Sequence, residues 1–226
     1  MDLDPGSNGR TRIDFPAVDV FPSIPVKQSI VTLDMEGVLT PEIWIAVAEK
    51  TGIADLSRTT RDEPDYDKLM RYRIEILDRH DIRLSDIQAV IATLPPLPGA
   101  VDFLQTLRTR SQVIILSDTF EQFAQPLIRQ MEWPTLFCHR LEVKDDRITG
   151  YTLRMADQKG QSVRALQLLN YQVLAAGDSY NDTAMLKQAD HGFLFHAPEN
   201  VKQAFPQFPA FEEYADLLDA IVGRLT

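Results

Sequence analysis

The sequence predicts an α/β fold: a three-layer core around a largely parallel sheet, with a small helical insert after the first core strand. Three observations predict it. Short β-branched runs alternate with segments of helical period, the order of a parallel sheet covered by helices. Two of these runs, Ile30-Val31-Thr32-Leu33 and Val173-Leu174-Ala175-Ala176, lead into acids, Asp34 and Asp178. Acids so placed fall at the carboxyl edge, where open α/β sheets bind ligands. After the first run, roughly residues 42–97 keep helical spacing until Pro95, Pro96 and Pro98 break it.

The elements follow in order. Residues 1–28 combine Gly6, Ser7, Asn8 and Gly9 with prolines and no sustained period, and are expected to form a flexible extension. A strand over 29–33 delivers Asp34. Pro41 suits the first turn of a helix through Ala48. Residues 65–80 repeat Leu69, Met70, Ile74 and Leu77 at helical spacing, and 84–94 form a third helix. The insert 42–97 is expected to cap the strand ends of a core formed by 29–41 and 98–226. A helix from Gly99 leads to a strand over 112–116, then Ser117-Asp118-Thr119. Residues 120–131 read as helix and 139–154 as a hairpin around Asp145-Asp146. A helix over 162–169 precedes the Asp178 strand. Residues 191–195 form a final strand and 212–225 a terminal helix.

The chain has 226 residues, 44% hydrophobic, enough for one sizeable core. A net charge of −10 argues against nucleic acid or an anionic membrane as partner. A single cysteine, Cys138, excludes an intrachain disulfide and fits a reducing cytoplasm. No apolar run approaches a membrane span, and the N-terminus lacks the layout of a signal peptide. The expected partner is a small molecule.

Paired carboxylates at one sheet edge suit a magnesium ion and a phosphate. Asp34 is the candidate nucleophile, able to attack phosphorus and split one displacement into two. Glu36, two residues on, points the same way along an extended segment and suits an acid/base for the leaving alkoxide. Taken alone, this pair is equally a strand-end turn with a solvated acid. Ser117 offers a hydroxyl to phosphate oxygens, or caps a helix. Lys159 offers a fixed ammonium, or a solvated surface charge. Asp178 is expected to be a direct Mg2+ ligand beside an Asp34 oxygen and the Glu36 backbone carbonyl, with Asp182 orienting water around that shell; taken alone, Gly177 and Asp178 are equally a turn capping a helix. Asn181 reaches the phosphate or the substrate. The histidines lack metal-ligand spacing, and Trp44 and Trp133 read as packing residues.

With four elements in order, the chain resembles the haloacid dehalogenase superfamily. Asp34-Met35-Glu36-Gly37-Val38 matches its first motif, Ser117 its second, Lys159 its third, and Gly177-Asp178-Ser179-Tyr180-Asn181-Asp182 its fourth. A closer resemblance is to the bacterial phosphoserine/homoserine phosphotransferase family, ThrH. It is carried by Leu33 to Leu39, Pro41-Glu42-Ile43-Trp44, Thr59-Thr60-Arg61-Asp62, Pro64-Asp65-Tyr66-Asp67, Ile115 to Phe120 and Phe195 to Val201. That family is similar to phosphoserine phosphatases. The resemblance implies a Rossmann-like core, a small helical cap, Mg2+, and hydrolysis of O-phosphoserine with transfer of its phosphoryl group to homoserine. It further implies that Glu42 and Arg73 hold the substrate amino and carboxylate groups. An acid and a guanidinium suit a zwitterion. Two positions depart from the wider pattern. Glu36 stands where most members carry aspartate. Asp118, counted here with the substrate-binding residues, stands where phosphoserine phosphatases often have glycine.

Overall fold

A computed structural model describes residues 27–59, 62–63 and 65–226. The expected extension lies outside them except for Lys27 and Gln28, as do Thr60, Arg61 and Pro64. Strands are β1 (Gln28–Leu33), β2 (Gln112–Phe120), β3 (Thr135–Lys144), β4 (Arg147–Thr152), β5 (Tyr171–Gly177), β6 (His191–Phe195) and β7 (Ala210–Phe211). They form one seven-stranded sheet in the order β4-β3-β2-β1-β5-β6-β7. Every pairing is parallel except β3 with β4. Helices are α1 (Ile43–Thr51), α2 (Tyr66–Arg79), α3 (Leu84–Ile91), α4 (Ala100–Arg108), α5 (Glu121–Gln130), α6 (Gln158–Leu168), α7 (Thr183–Gln188), α8 (Glu199–Ala204) and α9 (Tyr214–Val222).

Strand alternation builds the three layers. On β1 and β5, Val31, Leu33, Leu174 and Ala176 face one side, with Phe103 of α4, Phe123 of α5 and Leu217 of α9. Ile30, Val173 and Ala175 face the other, with Val163 of α6, Met185 of α7 and Val201 of α8. Each fully buried Leu, Ile or Phe here contributes about 1.5–3 kcal/mol. Because β1 and β5 are buried on both faces, they read as continuous apolar runs.

The insert sits on this core. Val47, Met70 and Ile87 belong to the same apolar cluster as Leu33 and Phe123. The β3–β4 hairpin bonds to it: Leu84 N–H donates to the Asp146 carbonyl at 2.8 Å, and Tyr151 Oη donates to Asp67 at 2.7 Å. Tyr66 Oη donates to the Asp118 carbonyl at 3.0 Å, joining α2 to the end of β2.

Several boundaries differ from the sequence reading. Gln28 already opens β1, paired with Tyr171. The first insert helix begins at Ile43, with Glu42 as an extended N-cap residue, so Pro41 precedes the helix. β2 runs on through Ser117, Asp118 and Thr119, because Phe120 still pairs with His139 after an irregularity in register. α6 starts at Gln158, which puts Lys159 in a helical first turn. β7 was not expected; two residues carry no readable period.

Candidate active site

β1 and β5 are neighbours in register, Leu33 beside Ala176. Their continuations therefore meet. Asp34 N–H donates to the Ala176 carbonyl at 2.9 Å, extending the ladder by one residue. Asp178 follows Gly177 on the adjacent strand. Oxygens of Asp34, Asp178 and Asp182 all lie within 4.8 Å of one another.

One ammonium serves this acidic group. Lys159 Nζ lies 2.7 Å from Asp182 Oδ1, 2.9 Å from Asp34 Oδ1 and 3.7 Å from Asp118 Oδ2. Burial opposes its charge, but Asp182 and Asp34 more than compensate and hold Lys159 protonated. Burial and the neighbouring Asp182 push the Asp34 carboxyl well above its ordinary range, with Lys159 pulling the other way. Burial, then Asp182 and Glu42, raise Asp178 to about 7. Asp182 has both oxygens engaged: Oδ1 by Lys159, Oδ2 by the N–H groups of Asp178 at 2.9 Å and Ser179 at 3.0 Å.

A tight turn over 37–39 follows Glu36, which pairs with Thr40 across it. Leu39 and Thr40 N–H both donate to the Met35 carbonyl, at 2.8 and 2.9 Å. The Asp34 and Glu36 carboxylates line one cavity of about 270 Å3. The turn carries Glu36 to the insert, where Oε2 accepts from the Ile43 N–H at 2.8 Å, at the start of α1. Burial, then Glu42, raise the Glu36 carboxyl to about 7, against the pull of that N–H and of Arg73. A group so poised exchanges protons near neutral pH.

Gly37 makes the turn possible. Its φ is +79°, and a Cβ there would stand 2.5 Å from Asp178 Cγ. Gly37→Ala is therefore expected to cost about 1–2 kcal/mol for the left-handed backbone alone. It also displaces Asp178, so activity is expected to fall at least tenfold. Thermal unfolding and an activity assay check this; a variant with native values for both contradicts the packing argument.

Ser117 is buried, its Oγ accepting from the Thr119 N–H at 3.3 Å. Asp118 receives Asn181 Nδ2 on Oδ2 and Gln158 Nε2 on Oδ1, both at 3.2 Å. Burial raises Asp118, but Lys159 and the donors from His139 and Gln158 outweigh it and hold the carboxyl well below its usual range. Glu42 and Arg73 line the same cavity from the insert. Burial lowers Arg73 to about 10, which leaves it charged at neutral pH. Every site residue expected from sequence thus borders this cavity except Asp182, which lies fully buried behind it.

Sequence reasoning missed Trp44, Tyr66 and Tyr180, which also line the cavity. For Tyr66 a signal existed: Tyr66, Leu69 and Arg73 stand at i, i+3 and i+7, one face of α2. His139 is more than a packing residue. Its Nδ1 accepts from the Arg154 N–H at 3.1 Å and its Nε2 lies 3.6 Å from Asp118.

Comparison with known proteins gives consistent matches. A family model described as haloacid dehalogenase-like hydrolase matches residues 28–190. The chain is 64% identical over 189 residues to phosphoserine phosphatase ThrH of Pseudomonas aeruginosa, covering 83% of this chain and 92% of that protein. It is 61% identical over 189 residues to a phosphoserine phosphatase of Pseudomonas syringae pv. tomato, covering 83% and 80%. A solved phospho-aspartyl intermediate analogue of phosphoserine phosphatase matches with a TM-score of 0.72 at 19% identity, over 86% of this chain and 99% of that chain. This last likeness bears on the fold.

Proposed function

The chain belongs to the haloacid dehalogenase-like hydrolases and, within them, to the ThrH family, and on that premise we propose that it hydrolyses O-phospho-L-serine and passes its phosphoryl group to homoserine. The observation that carries the reading is a single cavity in which Asp34, Lys159, Glu36 and Arg73 converge. An Asp34 oxygen attacks phosphorus while the bond to the serine oxygen breaks. Glu36, protonated at the outset, gives its proton to that departing oxygen. Now a carboxylate, it takes the proton from water or from the homoserine hydroxyl, whose oxygen attacks phosphorus. The bond to Asp34 then breaks and the nucleophile is regenerated.

Lys159 and Ser117 hold the phosphoryl oxygens, with Asn181 beside them. Asp118, kept ionised, orients Lys159 and Asn181. The clustered oxygens of Asp34, Asp178 and Asp182, crowded around one ammonium, fit a divalent cation. Asp34, Asp178 and the Glu36 backbone carbonyl would hold Mg2+, with Asp182 fixing the Asp178 turn and Lys159. Bound there, Mg2+ neutralises charge on the phosphoryl group. Helices of the cap, 42–97, bring Glu42 to the substrate ammonium and Arg73 to its carboxylate. Arg73 Nε is buried and without a hydrogen-bond partner among the described residues, a vacancy that suits a carboxylate. Closure of the cap would limit water entry and so set the ratio of hydrolysis to transfer. We place the enzyme in the cytoplasm, where its buried Cys138 stays reduced.

The test is 31P NMR of the protein with O-phosphoserine and Mg2+, with and without homoserine. A phosphohomoserine signal is expected beside inorganic phosphate. Inorganic phosphate alone rejects the transfer branch, and no consumption in either tube rejects the substrate.

A further inference from the structure

We infer that Trp44 is a specificity-determining residue that holds the Arg73 guanidinium in the plane that reads the substrate carboxylate. This rests on the substrate reading above and assigns a role to a side chain that sequence alone marks as packing.

The guanidinium is fixed on several sides. Its Cζ lies 4.5 Å over the Trp44 ring. Nη2 donates to the Arg58 carbonyl at 2.6 Å, and Nη1 points to Met70 Sδ at 3.8 Å. Arg73 is only 5% exposed, yet it borders the cavity. With one face on the indole and one N–H of each terminal nitrogen engaged, Nε is left without a partner among the described residues, and it and the second N–H of each terminal nitrogen remain for a ligand.

Trp44 is itself braced. Its ring meets Phe123 edge-on at 5.3 Å and 72°, and Phe123 meets Phe120 at 5.8 Å and 90°. Phe120 ends β2, the strand that carries Ser117. A row of aromatic edges therefore links the phosphate-holding strand to the carboxylate-holding arginine. It fixes the distance between the two ends of the substrate. Indole is the strongest aromatic partner for a cation, most of all where water is excluded. A plane held in advance loses less entropy when the carboxylate docks. Tight packing alone does not discriminate between substrates; an oriented guanidinium does.

The test compares O-phospho-L-serine with O-phosphoethanolamine, which keeps the ammonium and phosphate ester but lacks the carboxylate. In Trp44→Leu, KM for phosphoserine is expected to rise about tenfold while that for phosphoethanolamine moves less than about twofold. Trp44→Phe, which keeps an aromatic face, is expected to regain most of the loss. Equal losses on both substrates, or none on either, overturn the inference. A second readout needs no change at Trp44. The chain has two tryptophans, and Trp133 is largely exposed. In Trp133→Phe, binding of phosphoserine is expected to shift Trp44 fluorescence and phosphoethanolamine to leave it nearly unchanged; identical shifts overturn the inference. If the wild-type protein handles phosphoethanolamine as well as phosphoserine, the substrate reading falls and takes this one with it. If the wild type prefers phosphoserine and Trp44→Leu keeps that preference, only this inference falls.

Discussion

Asp34→Asn is expected to be inactive and, without metal, more heat-stable than the wild type. The amide keeps the shape of the carboxyl but cannot attack phosphorus, so turnover is expected to fall by at least about a thousandfold. Stability moves the other way. Asp34 is 4% exposed and shares one ammonium with Asp182 and Asp118. Burial, then Asp182, raise its carboxyl above the ordinary range. A raised carboxyl favours the unfolded chain wherever that chain is ionised and the folded one resists ionising. The cost is thus absent below the unfolded value of about 3.9 and grows as pH rises above it. The gain in Tm for Asp34→Asn is therefore expected at neutral pH and is expected to shrink toward pH 4. Calorimetry in chelator across that range, with phosphate release at neutral pH, checks both halves. Residual turnover above about one per cent of wild type rejects Asp34 as nucleophile; a Tm below wild type at neutral pH rejects the crowding argument.

The parts of the site that sequence reveals are those whose position follows from strand ends. Asp34 and Asp178 are legible because each ends a β-branched run, and two buried parallel strands bring such ends together. Arg73 and Glu42 are legible only through family resemblance, since an acid before a helix and an arginine within one have ordinary explanations. Lys159 is misplaced by local reading. Gln158, Lys159 and Ser162 are buried polar residues, so the first turn of α6 lacks the apolar period that marks a helix. Ser117-Asp118-Thr119 has the composition of a turn, yet pairing of Phe120 with His139 keeps it in the strand. Trp44 is invisible for a different reason. An apolar residue in an apolar helix looks like packing until α2 is known to lay Arg73 across its ring.

Lys159→Met is expected to lose activity at least about a thousandfold and, unlike Asp34→Asn, to destabilise the fold. Methionine keeps much of the stem and removes the ammonium. Asp34 and Asp182, at 2.9 and 2.7 Å, then stand buried without their counter-charge. Removing one partner from a buried ionic group costs about 3–5 kcal/mol, or roughly 2–4 °C in Tm per kcal/mol for a chain of this size. Lys159 has its pKa raised in the fold, by Asp182 and Asp34 against the opposing effect of burial. Its stabilisation is therefore fully present below the unfolded value of about 10.4, at every pH where the enzyme works, and is lost only as pH rises through the folded value. The variant's deficit comes from the carboxylates left behind. Acidification is expected to restore part of it as Asp34 takes up its proton. The double variant Lys159→Met/Asp34→Asn separates the terms. If the two charges neutralise each other, removing both leaves one fewer uncompensated acid than removing the lysine alone. The double variant is then expected to be more stable than Lys159→Met, with a coupling energy of about 1–3 kcal/mol. Denaturant unfolding of the four proteins at one pH measures it; strict additivity, or a Lys159→Met midpoint equal to wild type, rejects Lys159 as the counter-charge that holds this acidic edge folded.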